Sequence, residues 1–437
     1  MSETSLEQLV EERQFAGILQ THGEVFFRLS NTLVGLEEGG WNKKHYFQLF
    51  TEADILESFL DDYGARFNRT YSFLTELVAS IRGFAQGGYA IAHVGGRLDS
   101  YGCQEWLGRP DCEQIYASLK HVRDYIYTIS TQLVISIRGE AQRLGVELTR
   151  EAFPESNFLP VVARRRLPRN LGEEDLVDEE QKIAEVAAKY LQACDMLAEI
   201  AVRRIDEPAE RREFLARVCT EEQARVYEAT IHNLQSMYDT HIQNTVLEGS
   251  DDRLPRLRGH LSVSLHFLAS VTFLTHFFER HEDDIRSDEA KHRIGEIVSR
   301  DRVQDVILNH LLYWADRLLQ LGRSVAADLL PTYMNVQELE VELTDDVQLH
   351  ARPAALIVGI VNHHGTPVEM EVAGQRSNAA SILELLVSVG SHPNEKRFVF
   401  RGDENPLRDI RLLFEHGLGE KGVDDLPDDL GYLRSDG

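Results

Sequence analysis

The run DDVQLHARPAALIVGIV (345–361) sets His350 between a strand-like stretch and an apolar helical one, with Arg352 and Pro353 close behind it. An imidazole in that place can serve as a packed or capping group, as a metal ligand, or as a nucleophile at the mouth of a helix. The third use is chemically well supplied. A large fraction of histidine is unprotonated near neutral pH, so it can attack phosphorus without a dedicated base. The phosphoryl group it would then carry is anionic, and the unpaired amides and dipole of a helix start, together with the Arg352 guanidinium, offer positive potential. Pro353 falls in the first helical turn, where its missing N–H costs nothing. A metal role finds less support, because His363 and His364 lie about one helix length away in the turn-like NHHGTP and no acid or cysteine has matching spacing. These two histidines read as solvent-facing loop residues.

Other reactive residue types carry weaker signals. Ser381 opens the apolar run SILELLVSVG and reads as a helix N-cap. THFFERHEDD (275–284) holds Glu279, His281 and Glu282, with His266, His276 and His310 in nearby helices. The Glu-x-x-His pairs of carboxylate-bridged metal bundles are not evident there, so these read as charged helix ends and core or surface histidines. No metal ligand and no cofactor is assigned. GGYAIAHVGGRLDSYG (87–102) has paired glycines but lacks the Gly-Lys-Ser/Thr of a phosphate-binding loop, and reads as a connection. Cys103, Cys112, Cys194 and Cys219 form no CxxC pair and read as reduced thiols.

The elements that must position these residues change character along the chain. Up to about residue 330, apolar residues return every three or four positions, as in Tyr227, Ile231, Leu234, Tyr238 and Ile242. Helices are expected around 5–37, 48–85, 110–147, 178–206, 208–247, 256–284 and 286–325, packed as an antiparallel bundle. Acidic stretches such as 57–77 read as solvated helix faces. The segment 153–180 carries Pro154, Pro160 and Pro168, a basic cluster at Arg164, Arg165 and Arg166, then an acidic run, and reads as a linker whose arginines neutralise nearby acid.

Beyond Pro331, ELEVELT (338–344), PVEMEVAG (367–374) and KRFVFRG (396–402) alternate with period two, and helical runs lie at 352–363, 381–390 and 406–416. The expected order is strand, helix, strand, strand, helix, strand, helix. The fold class is therefore multi-domain: a large all-α bundle followed by a compact α+β domain. The boundaries read as helical 1–152, linker 153–177, helical 178–334, α+β 335–420, and an acidic tail 421–437 expected to fray.

This C-terminal order, with LHARPAALIV (349–358) after the first strand, resembles HPr, the histidine phosphocarrier of the bacterial phosphoenolpyruvate-dependent sugar phosphotransferase system. The motif Leu-His-x-Arg-Pro-Ala, a serine opening the second helix at Ser381 and the length of about 337–420 carry the resemblance; residues 1–335 resemble no family. The resemblance implies an antiparallel sheet with helices on one face. It implies that His350 takes a phosphoryl group from phosphorylated enzyme I and passes it to an acceptor of the enzyme IIA type or a regulator. It also implies that Ser381 is a target of HPr kinase, where added negative charge would alter docking, and that Ile382, Leu383 and Leu386 contribute to an apolar docking patch or to the core.

Global properties narrow the partners. With 437 residues and 43% hydrophobic content, two or three domains with sizeable cores are affordable. A net charge of -26 disfavours nucleic acid and anionic membrane. The polar start MSETSLEQLVEERQF has no signal-like apolar run, and the chain is placed in the cytoplasm. Two function classes compete: a phosphocarrier or phosphorylation sensor coupled to a helical regulatory part, and an HPr-fold interaction module that is never phosphorylated. A homo-oligomer formed through the bundle is compatible with either.

Overall fold

The computed structural model describes residues 9–36, 39–158, 179–280, 288–343, 349–420 and 422–434. These fall into two units, one within 1–170, 197–232 and 259–320, the other within 171–196, 233–258 and 321–437. The first half of the chain contributes α1 (Glu12–His22), α2 (Glu24–Val34), α3 (Lys43–Asp62), α4 (Ser72–Ser100), the short α5 (Cys103–Trp106) and α6 (Arg109–Arg143). There follow α7 (Glu179–Ile200), α8 (Pro208–Val218), α9 (Glu221–His241), α10 (Val246–Ser250), α11 (Arg253–Arg280), α12 (Asp288–Ile297), α13 (Arg300–Asp305), a π-helical segment (Val306–Leu312) and α14 (Tyr313–Tyr333).

In the first unit α4 packs on both α3 and α6. The stretch 87–102 expected as a connection is mostly the C-terminal half of α4. Its glycines are there for proximity: a Cβ at Gly88 would lie 2.5 Å from the Tyr46 ring, so only glycine lets α3 approach this closely. The single helix expected over 5–37 is two helices meeting at Gly23, and 286–325 divides where extended Ser299 separates α12 from α13. Glu57, read as part of a solvated face, is buried and paired with Arg82 (2.6 Å) and Arg280 (2.7 Å). Those guanidiniums overcome the burial that opposes ionisation and hold the Glu57 carboxyl below its ordinary value. α11 is long and apolar enough to cross a membrane by length and composition, but most of that stretch is buried in the protein. Three of its hydroxyls donate to carbonyls, Ser264 to Ala315, Ser270 to Gly87 and Thr272 to Ala224.

Within the expected linker, Phe153 and Phe158 are buried, while Arg164, Arg165 and Arg166 lie outside the described residues.

The second unit includes the C-terminal domain: β1 (Val336–Glu342), α15 (Ala351–His364), β2 (Val368–Val372), β3 (Gln375–Asn378), α16 (Ile382–Ser391), β4 (Arg397–Asp403) and α17 (Glu404–Glu415). The order is the one the alternating and helical periods specify. The sheet runs β1-β4-β2-β3 with every pair antiparallel, Leu339 and Met370 both standing opposite Phe400. Alternation sends Leu339, Met370, Phe398 and Phe400 into one core with Ile357, Ile360, Leu385 and Ile410 of the helices. On the exposed face Arg401 bridges Glu338 and Glu371, at 2.8 Å each.

The tail does not fray over 422–434. Leu426 and Leu430 enter the same core, and the Tyr432 hydroxyl donates to Asp409 Oδ2 at 2.7 Å. His363 and His364 are likewise not loop residues. They close α15, with His363 stacked on Tyr432 at 3.7 Å and His364 Nε2 2.7 Å from the same Asp409 oxygen. Burial opposes ionisation of Asp409, but these two hydrogen bonds win and hold its carboxyl below the usual range.

Candidate functional site

His350 is the N-cap of α15, with extended backbone (φ −108°, ψ −167°). Buried Leu349 before it and buried Pro353 and Ala354 after it fix the chain, while the imidazole itself stays 52% exposed. Its two nitrogens have different partners. Nε2 lies 2.6 Å from Glu420 Oε1, and because a carboxylate only accepts, Nε2 carries the proton. Nδ1 accepts from the Arg352 backbone N–H at 3.3 Å, a long bond that is readily given up. The available lone pair is therefore on Nδ1, directed at the start of the helix.

The amides at that end follow from the sequence. The first helical bond runs from the Ala354 N–H to the His350 carbonyl at 3.0 Å, and Pro353 has no N–H. Ala351 and Arg352 supply the remaining donors, and the exposed Arg352 guanidinium has no ion pair among the described residues. A nucleophilic nitrogen, two free-end amides and an uncommitted cation make a place where an anion of phosphate type can be held.

Glu420 has no counterpart in the reading of the sequence. It is delivered by three successive left-handed residues, Gly417 (φ 63°), Leu418 (φ 56°) and Gly419 (φ 69°). The strain at Leu418, about 1–2 kcal/mol, is offset by burying its side chain to 1% exposure, worth roughly 2 kcal/mol. At Gly419 a Cβ would sit 2.9 Å from Leu356 Cδ1, so the turn also needs the missing side chain. The Gly-Leu-Gly run was a legible turn signal, but nothing local says that the acid after it faces a histidine 70 positions earlier.

Ser381 is the N-cap of α16, its Oγ accepting from the Glu384 N–H at 3.3 Å. The Glu384 carboxylate turns back to accept from the Asn378 N–H at 2.9 Å. Ile382 and Leu383 are exposed, Leu383 at 70%, whereas Leu386 is half-buried against the core. Val387, one turn after Leu383, extends the exposed stripe and could have been found from helical spacing.

The histidines and acids considered as a metal bundle do not converge. His276 Nδ1 is 2.8 Å from Glu221 Oε2, Glu279 accepts from the Glu221 N–H, and His266 stacks on His93 at 4.6 Å. His281 and Glu282 lie outside the described residues. Cys112, Cys194 and Cys219 form no disulfide among the described residues, and burial pushes the Cys219 thiol up to about 12.

Residues 337–396, from β1 to the edge of β4, match the family model described as the PTS HPr component phosphorylation site, and the N-terminal part matches no family. No curated protein and no solved structure matches the chain. A motif at the mouth of α15, a four-stranded antiparallel sheet backed by helices and the family match over residues 337–396 agree on an HPr-type domain in the C-terminal region of this chain.

Proposed function

We propose that the protein is a cytoplasmic phosphocarrier or phosphorylation sensor in which His350 accepts a phosphoryl group from phosphorylated enzyme I, and in which the helical part reads or transmits that state. The observation that carries this reading is the Nδ1 lone pair at the start of α15 with Nε2–H held by Glu420. In the transfer, Nδ1 attacks phosphorus in line as the donor's P–N bond breaks, and the donor nitrogen keeps the electron pair. The ring, still protonated on Nε2, becomes an imidazolium whose charge Glu420 balances. The phosphoryl oxygens replace Nδ1 as acceptor for the Arg352 amide and draw in its guanidinium. Passing the group on to an acceptor protein reverses these steps. Ile382, Leu383, Leu386 and Val387 offer an apolar patch for docking, and Ser381 beside them suits regulation by a kinase. A phosphate there would meet the carboxylate of Glu384 and perturb the patch electrostatically.

The test is intact mass, under alkaline handling, of wild type and His350→Ala after incubation with phosphoenolpyruvate and enzyme I. One added phosphate, lost in acid and absent from the variant, is expected. No addition to wild type, with the same enzyme I active on another carrier, would leave the HPr-type domain as an unphosphorylated interaction module.

A further inference from the structure

His121, Asp305 and His310 converge in the helical unit, far in sequence from the domain just described. One ligand atom from each lies within 4.8 Å of the other two. Their arrangement depends on a local departure from α-helix. Asp305 and His310 are five residues apart, which on an α-helix at 3.6 residues per turn places them about 140° apart around the axis. The segment Val306–Leu312 is π-helical, with hydrogen bonds joining residues five apart, and this wider turn brings the two positions closer to one face. α6 packs on that segment and presents Ser118 and His121, one turn apart on a single face.

Each ligand is also held from behind. His310 Nδ1 bonds Ser118 Oγ at 2.7 Å, which leaves Nε2 for an ion. Asp305 Oδ1 accepts from Asn309 Nδ2 at 2.7 Å and lies 3.5 Å from Arg211 Nη1, which leaves Oδ2. Asn309 is itself fixed, donating to the Ile205 carbonyl and accepting from the Ile205 N–H. The two imidazoles already stack at 4.4 Å, and His121, the exposed member, has the freedom to close the remaining gap. An ion at ~2.0–2.1 Å from each donor draws the three atoms to roughly 3.4 Å from one another.

We propose that His121, Asp305 and His310 form a binding site for a divalent first-row transition ion of the zinc class, with the remaining coordination positions open to solvent. Two imidazoles select against calcium and magnesium, which take oxygen ligands. The assignment is independent of phosphorylation at His350.

The test uses the untagged full-length chain, stripped with chelator and titrated with Co²⁺ while the visible d–d absorption is recorded, then with Zn²⁺ to displace it. Wild type is expected to take up one Co²⁺ with a visible band that Zn²⁺ abolishes. His121→Ala, at an exposed position where folding is not at stake, is expected to weaken binding about 100-fold, and Ser118→Ala about 10-fold through loss of the bond behind His310. No d–d band in wild type, or identical titrations for wild type and His121→Ala, would overturn the proposal.

Discussion

At His350 the two ring nitrogens do different work, and substitutions can separate them. Glu420→Gln keeps a partner for Nε2–H but removes the charge that balances a phosphorylated ring. Phosphorylation by enzyme I is expected to slow by about tenfold, equivalent to roughly 1.4 kcal/mol of lost charge-assisted bonding. The thermal midpoint should stay put, because the pair is half-exposed. Stopped-quench measurement of phosphoenzyme formation checks this, and an unchanged rate would remove Glu420 from the chemistry. The place of His350, Arg352 and Pro353 at a helix start was legible because it is set by adjacent residues. Glu420 was not, since its partner is defined only by the turn at Gly417–Gly419 and the closure of the domain around it.

At the scale of elements, the C-terminal segment after α17 behaves as part of the core. Leu430 is fully buried among residues of the sheet and helices. Leu430→Ala is expected to destabilise the domain by about 2–4 kcal/mol. Tyr432→Phe, which leaves the ring stacked on His363 but removes a hydrogen bond to the buried Asp409, should cost about 1–2 kcal/mol. Amide hydrogen exchange along α15 and β4 in the full chain reads both changes locally. Exchange no faster than wild type in the leucine variant would mean that the segment is a loose appendage. The run of acids in DDLPDDLGYLRSDG concealed this, because three-residue turns carry no periodic signal and the anchoring leucines are too few to show one. The paired glycines of α4 misled in the opposite sense: local propensity favours a break, and packing against Tyr46 favours the helix.

At the scale of the whole molecule, an acidic chain of net charge -26 holds half-buried histidines that resist protonation. Burial first, then Lys43 and Arg97, depress His93 to about 4, and burial, then His93 and those same cations, depress His266 to about 3. The unfolded chain binds these protons near 6.5 and the folded chain does not. Their neutral forms therefore support folding fully above pH 6.5, and that support is lost progressively as the pH falls from there toward 4. Denaturant midpoints at pH 8, 6.5 and 5 should decline in that order, with a shallower decline for His266→Gln. Equal slopes for the two proteins would rule out this source of acid sensitivity. Down to pH 5 the carboxylates remain near their ordinary ionisation, so the histidines dominate the upper part of the window.

The sequence alone determined the element order of the C-terminal domain and the presence of a histidine at a helix mouth, because strand and helix periods and cap chemistry are written over a few adjacent residues. Tertiary structure decided the rest. It set Glu420 opposite His350 across 70 positions, joined Ser118 to His310 across 192, and buried Glu57 between two arginines. Such pairings depend on how packed elements bring distant side chains together, and no local period records that.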